Sequence, residues 1–201
     1  MELLILVLFI ILSYIVGSIP FGYILTKKST GLNILRQGSG NIGSTNVGRI
    51  AGKWVALKVQ VLDMLKGFIP VATVLIFSKS EVQSFPDYFI FLVAISTILG
   101  HNFSVFLLFK GGKGVNTTLG ATVLLAPAEV FCSAAAYFLI KWPLKYVSVG
   151  SIALAIMLPF SALILEAKGW LIYYLTFCCI MILYRHKSNI KRLISGNELK
   201  P

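Results

Sequence analysis

The strongest constraint in this sequence is the length of its apolar runs. Residues 3–26, 54–77, 88–109 and 117–140 are each long enough to cross a hydrocarbon core of about 30 Å, and a longer apolar block follows from 146 to 184. Within lipid a helix satisfies its own backbone, so the expected fold is all-α: one polytopic integral membrane domain over residues 1–201. Composition agrees, with 57% hydrophobic and only 12% charged residues, where soluble domains carry about 25% charged. The first run is not read as a signal peptide. No Lys or Arg precedes Lys27, and no small-x-small cleavage site follows.

The net charge of +11 fits the excess of Lys and Arg in cytoplasmic loops of membrane proteins. Nucleic-acid binding would need a basic soluble module, and none is present, so no nucleic-acid partner is expected. Cys132, Cys178 and Cys179 lie inside apolar segments and are read as small buried hydrophobes without disulfides. No metal and no cofactor is expected.

Charge also orders the topology. The segment KKSTGLNILRQGSGNIGSTNVGRIAGK carries Lys27, Lys28, Arg36, Arg49 and Lys53 without one acid. It is expected inside, with the N-terminus outside. The 79–87 loop, with Glu81 and Asp87 against Lys79, then falls outside, and the tail RHKSNIKRLISGNELK inside. These placements conflict if 117–140 is a single span. Pro127 resolves the conflict by splitting that run into two short helices folded back on each other, for about seven helical segments in all.

Every polar cluster then meets one membrane face. GSGNIGSTNVGR (38–49) is a dense donor surface; Gly, Ser and Asn also mark turns, so a flexible loop is the competing reading. GHNFSVFLLFKGGKGV (100–115) places glycines and Lys110 and Lys113 before a helix, where free N–H groups and the positive dipole end favour an anion. It lacks the spacing of a Walker motif. His101, two turns earlier, is read first as a structural histidine and second as a candidate base. Asp63 and Lys66, three apart within a span, are expected to pair. YRHKSNIKR (184–192) puts His186 and Asn189 on one helical face, and KYVSVGS (145–151) adds hydroxyls. Four donor-rich clusters beside an apolar wall suggest a phosphate-bearing lipid or its precursor.

These stretches, with DMLKGFIP, GHNFSVFLLFKGGKGV, KYVSVGSI and RHKSNIKRLISGNE in order along the chain, resemble the bacterial acyl-phosphate:glycerol-3-phosphate acyltransferases, the PlsY family. The resemblance implies about seven membrane helices in the bacterial inner membrane and an active site on the cytoplasmic side. It also implies acyl transfer from acyl phosphate to the 1-hydroxyl of glycerol 3-phosphate, giving lysophosphatidate and phosphate. By motif match, Gly111, Gly112 and Gly114 would cradle the acyl phosphate, with Ser39, Asn41, Thr45 and Asn46 closing the cradle. Arg49, Lys113, Ser151, His186 and Asn189 fall at the family's glycerol-phosphate contacts. Membrane lipid and the enzyme that forms acyl phosphate are the further partners implied. The chain departs from the family pattern at Ser44, Ser104 and Asn116, where Ala, Pro and Ala are common.

No HxxxxD is present: Phe106 stands five residues beyond His101, and Lys191 five beyond His186. A His–Asp dyad is therefore not expected. An acyl phosphate is already activated, so aligning two anions and stabilising charge would suffice; the family's proposed proton acceptor is a substrate phosphate. A membrane transporter of phosphate or an organophosphate remains the alternative at this stage, since it would gather the same residues at helix breaks.

Overall fold

The computed structural model describes residues 2–79, 85–167 and 169–200; Glu81 of the expected outer loop lies outside them. Among the described residues there are ten α-helices and no strand. They are α1 (Glu2–Ser18), α2 (Phe21–Thr30), α3 (Ser44–Ala51), α4 (Lys53–Lys79), α5 (Phe89–Asn102), α6 (Val115–Thr122), α7 (Pro127–Leu144), α8 (Val147–Ile164), α9 (Trp170–Arg185) and α10 (Lys187–Ile194). Four segments, Leu3–Thr30, Lys53–Ser78, Phe89–Leu107 and Val147–Ile164, are long and apolar enough to cross a membrane. The apolar helix α9 is shorter.

Two breaks position the site. The first apolar run is α1 and α2, parted at Ile19–Pro20. Proline has no N–H to continue the ladder, and at this break the Ile19 carbonyl accepts both Phe21 N–H at 3.1 Å and Lys66 Nζ at 2.9 Å. Lys66 also meets Asp63 at 3.0 Å, so the expected pair forms, and it carries a backbone contact besides. The second break separates α6 from α7. Pro127 takes the first position of α7, where the missing N–H has no intrahelical use. Ala126 N–H closes the turn onto Thr122 O at 2.8 Å. Gly114, just before α6, and Lys141, in the last turn of α7, line one cavity. The 117–140 run is therefore a hairpin whose two outer ends meet at one cavity. Pro70, Pro143 and Pro159 lie inside helices without splitting them.

Glycine sets the closest helix contacts. A Cβ on Gly17 would overlap Thr97 O, and one on Gly100 would overlap Tyr14 O, which locks α1 against α5. Gly67 and Gly120 are related in the same way through Thr117 O and Met64 O, which locks α4 against α6. Lipid gives little hydrophobic drive for helix association, so close backbone approach has to supply the packing. Ile98, Leu154, Leu158, Tyr174, Leu175 and Ile182 fill the core between α5, α8 and α9.

Candidate active site

A cavity of about 600 Å³ opens where five helices begin. Ser44 and Thr45 come from the start of α3, Lys53 and Leu57 from α4, and Val115 and Asn116 from α6. Ser148 and Ser151 come from α8, and His186 and Asn189 from the start of α10. Helix N-termini carry unpaired N–H groups and partial positive charge. Five of them around one space make it electropositive before any side chain is counted. Arg49, Lys53, Lys113 and Lys141 add four cations to the lining. The inner wall is apolar, with Ala56, Leu57 and Met64 of α4, Leu119 of α6, and Ala134 and Phe138 of α7.

The glycine loop lies under this cavity. Gly112 N–H donates to His101 O at 3.0 Å. Arg185 Nε and Nη2 donate to the carbonyls of Gly112 and Gly111, each at 2.9 Å. A Cβ at Gly111 would overlap His101 O, and one at Gly112 would overlap the His101 ring at Nε2. These two glycines let the loop press onto the end of α5, and neither lines the main cavity. Gly114 does line it, with φ +83° and Asn102 Oδ1 where a Cβ would stand at 2.7 Å. The N–H groups of Lys113, Gly114, Val115 and Asn116 donate to nothing among the described residues. They are the free donors at this helix end.

The first donor motif divides in two. Asn46 is buried and fully engaged: Oδ1 accepts from Ser39 N–H at 3.0 Å, and Nδ2 donates to Gln37 O and Asn41 O. It holds the 37–41 loop in place. Ser39, Asn41 and Thr45 line the cavity around it. Two of the three departures from the family pattern meet here, as Asn116 Nδ2 donates to Ser44 Oγ at 3.3 Å and ties the start of α6 to the start of α3. The third, Ser104, donates to Ser18 O at 2.5 Å.

The residues expected to meet the acceptor are also brought together. Ser151, His186, Asn189, Lys113 and Arg49 line the same cavity. Burial first, and the charge of Lys113 next, push the His186 imidazole down to about 4, so it is neutral at pH 7. His186 Nδ1 lies 2.8 Å from Ile182 O. A carbonyl only accepts, so Nδ1 carries the proton and Nε2 is an acceptor. Asn189 donates to Glu198 Oε1 at 2.6 Å, and Arg192 donates to Glu198 Oε2 at 2.9 Å. Arg49 donates to Leu199 O and Lys200 O, both at 2.9 Å. The C-terminal residues thus fold back over the basic end of the cavity. His101 lines the cavity too, with Nδ1 3.7 Å from Asp63 Oδ1.

All twelve expected binding residues lie at this cavity or in the glycine loop beside it. Sequence reasoning missed Arg185 as the clamp on that loop, because an arginine at the end of a span reads as an interfacial anchor. It also missed Lys141, which the α6–α7 hairpin brings back to the site.

A basic cavity with an apolar wall, in an all-helical bundle that has membrane-length helices, fits an integral membrane enzyme that handles phosphorylated lipid precursors. The chain belongs to the glycerol-3-phosphate acyltransferase family, whose model matches residues 7–196. It is 42% identical over 197 residues to the glycerol-3-phosphate acyltransferase of Clostridium acetobutylicum, covering 98% of this chain and 100% of that one. It is 40% identical over 194 residues to the enzyme of the same name from Geotalea daltonii, covering 96% and 95%. Two crystal structures of PlsY (YgiH), an integral membrane glycerol 3-phosphate acyltransferase, are similar at 34% identity. The glycerol 3-phosphate form has a TM-score of 0.89 over 98% of this chain and 95% of that one. The lysophosphatidic acid form has a TM-score of 0.85 over 97% and 94%.

Proposed function

We propose that this chain transfers a fatty acyl group from acyl phosphate to the 1-hydroxyl of glycerol 3-phosphate at the cytoplasmic face of a bacterial inner membrane. The observation that carries this reading is the single cavity that combines five helix N-termini with an apolar wall supplied by α4, α6 and α7. The free N–H groups of residues 113–116 and the side chains of Ser39, Asn41 and Thr45 hold the acyl-phosphate head. Gly111 and Gly112 keep that cradle seated on α5, Asn46 keeps the 37–41 loop in place, and the acyl chain lies along Leu57, Met64, Leu119 and Phe138. Arg49, Lys113, Ser151 and Asn189 hold the acceptor phosphate. Neutral His186 accepts a hydrogen bond from a glycerol hydroxyl through Nε2.

The 1-hydroxyl oxygen bonds to the acyl carbon, and the bond from that carbon to the phosphate oxygen breaks. The hydroxyl proton passes to a phosphate oxygen, so lysophosphatidate and inorganic phosphate leave. Alignment of the two anions and stabilisation of the developing charge are the protein's contribution. His101, the candidate protein base, sits behind Gly112 and supports the loop. Family membership disfavours the transport alternative.

The test is purified protein in liposomes given glycerol 3-phosphate with acyl phosphate, acyl-CoA or acyl carrier protein thioester. Lysophosphatidate is expected from acyl phosphate alone. Comparable rates from acyl-CoA would overturn the donor, and uptake of labelled phosphate without lysophosphatidate would overturn the reaction.

A further inference from the structure

The glycine loop borders a second cavity, also of about 600 Å³, with residues 109–111 on its wall where residues 113–115 line the first. Ser39 and Asn41 line both, so the two spaces share a polar partition. Asn33, Arg36, Lys110 and Arg185 complete its polar surface, and its lining carries no carboxylate. Arg185 is fixed there by its two bonds to the loop carbonyls and by the Phe103 ring at 5.2 Å, with no bond from Nη1 among the described residues. Arg36 and Lys110 form no ion pair among the described residues. Unpaired cations around a concave polar surface concentrate anions, and a backbone-lined concavity does so further.

We propose that this cavity is a second anion site, one that takes up the inorganic phosphate freed at the glycine loop and passes it to water. The inference rests on the acyl-phosphate reading in one respect, since that reaction supplies the phosphate. When transfer is complete, lysophosphatidate still fills the first cavity with its own phosphate and chain. The freed phosphate then has the amphiphile on one side and the Ser39–Asn41 partition on the other. Beyond that partition lie three cations, two of them on exposed side chains. An exit there lets the small anion leave toward water while the lipid product leaves sideways into the bilayer.

The experiment measures binding of radiolabelled inorganic phosphate to the purified, folded protein. The first cavity is saturated with glycerol 3-phosphate and a non-hydrolysable acyl phosphonate. Phosphate is expected to bind under these conditions. The Arg36→Glu/Lys110→Glu pair should weaken that binding at least about fivefold, as expected for removing two exposed cations. Arg36→Lys/Lys110→Arg should retain it. In turnover, the Glu pair should weaken product inhibition by phosphate by a similar factor. If the blocked wild type takes up no phosphate, or the Glu pair binds as the wild type does, the site is overturned. If the Glu pair changes only the dependence of activity on phosphatidylglycerol in the vesicles, the patch reads lipid headgroups, and the proposal is overturned as well. Failure of acyl phosphate to support turnover strikes the donor reading, and the binding measurement is then judged separately.

Discussion

Lys113 is a cation held partly out of water, and its titration reports on the proposed acceptor site. Burial first of all lowers it to about 8, with Glu198 opposing and Arg192, Arg49 and Arg185 adding to the fall. Below about pH 8 the ammonium is present and above it the charge is lost. The kcat/KM for glycerol 3-phosphate is therefore expected to fall about tenfold per unit above that point, one bound proton being worth one decade per pH unit. Unfolding through this group is not the cause. A lysine whose folded value lies below the unfolded one gains stability as pH rises through that window. Lys113→Arg keeps its charge at every accessible pH, so its alkaline limb should move up or vanish, and a pH–rate profile of both proteins decides it. At the same scale, the Ser44–Asn116 bond ties two helix starts together. A double-mutant cycle with alanine at both positions should show coupling of about 0.5–1.5 kcal/mol. Additive losses would mean that the two side chains act separately.

At the scale of elements, the lengths of the apolar runs were legible, because burial in lipid demands unbroken apolar helices. The break at Pro127 was legible too, since the charge on both flanks called for one. The break at Pro20 was not. Pro70, Pro143 and Pro159 sit inside continuous helices, so proline alone does not decide. What sets Pro20 apart is a tertiary contact: Lys66, 47 residues beyond Ile19, donates to the Ile19 carbonyl at the break. The glycine loop shows the same division. Its chemistry was legible, while the reason for two of its glycines lies in tertiary contact, with the end of α5 and with Arg185. Gly112→Ala is accordingly expected to act through His101. The new Cβ displaces the imidazole and with it the loop, and a shift of about 1 Å is enough to cost roughly 100-fold in rate. His101→Ala in the same chain makes room and should recover much of the lost kcat/KM for acyl phosphate. No recovery would place the obstruction on the phosphate side of the loop instead.

For the whole molecule, one proposed arrangement links fold to function: the polar clusters reach the same membrane face because α6 and α7 do not cross. The fold brings Ser39, Lys113, Lys141 and Glu198 around one cavity. A chain with α6–α7 spanning the bilayer would put Lys141 on the opposite face from Lys113 and divide the site. Single cysteines at Ser39, Lys141, Asn197 and Asp87, on a background with Cys132, Cys178 and Cys179 replaced, test this in intact cells. A membrane-impermeant maleimide should label Asp87→Cys from outside, and the other three only after the membrane is opened. The inside placement is independent of catalysis, so it is read on inactive variants as well. Labelling of Lys141→Cys from outside would exclude the hairpin in the membrane. The α7 contribution to the apolar wall, and with it the proposed chain-binding role of Phe138, would then have to be abandoned.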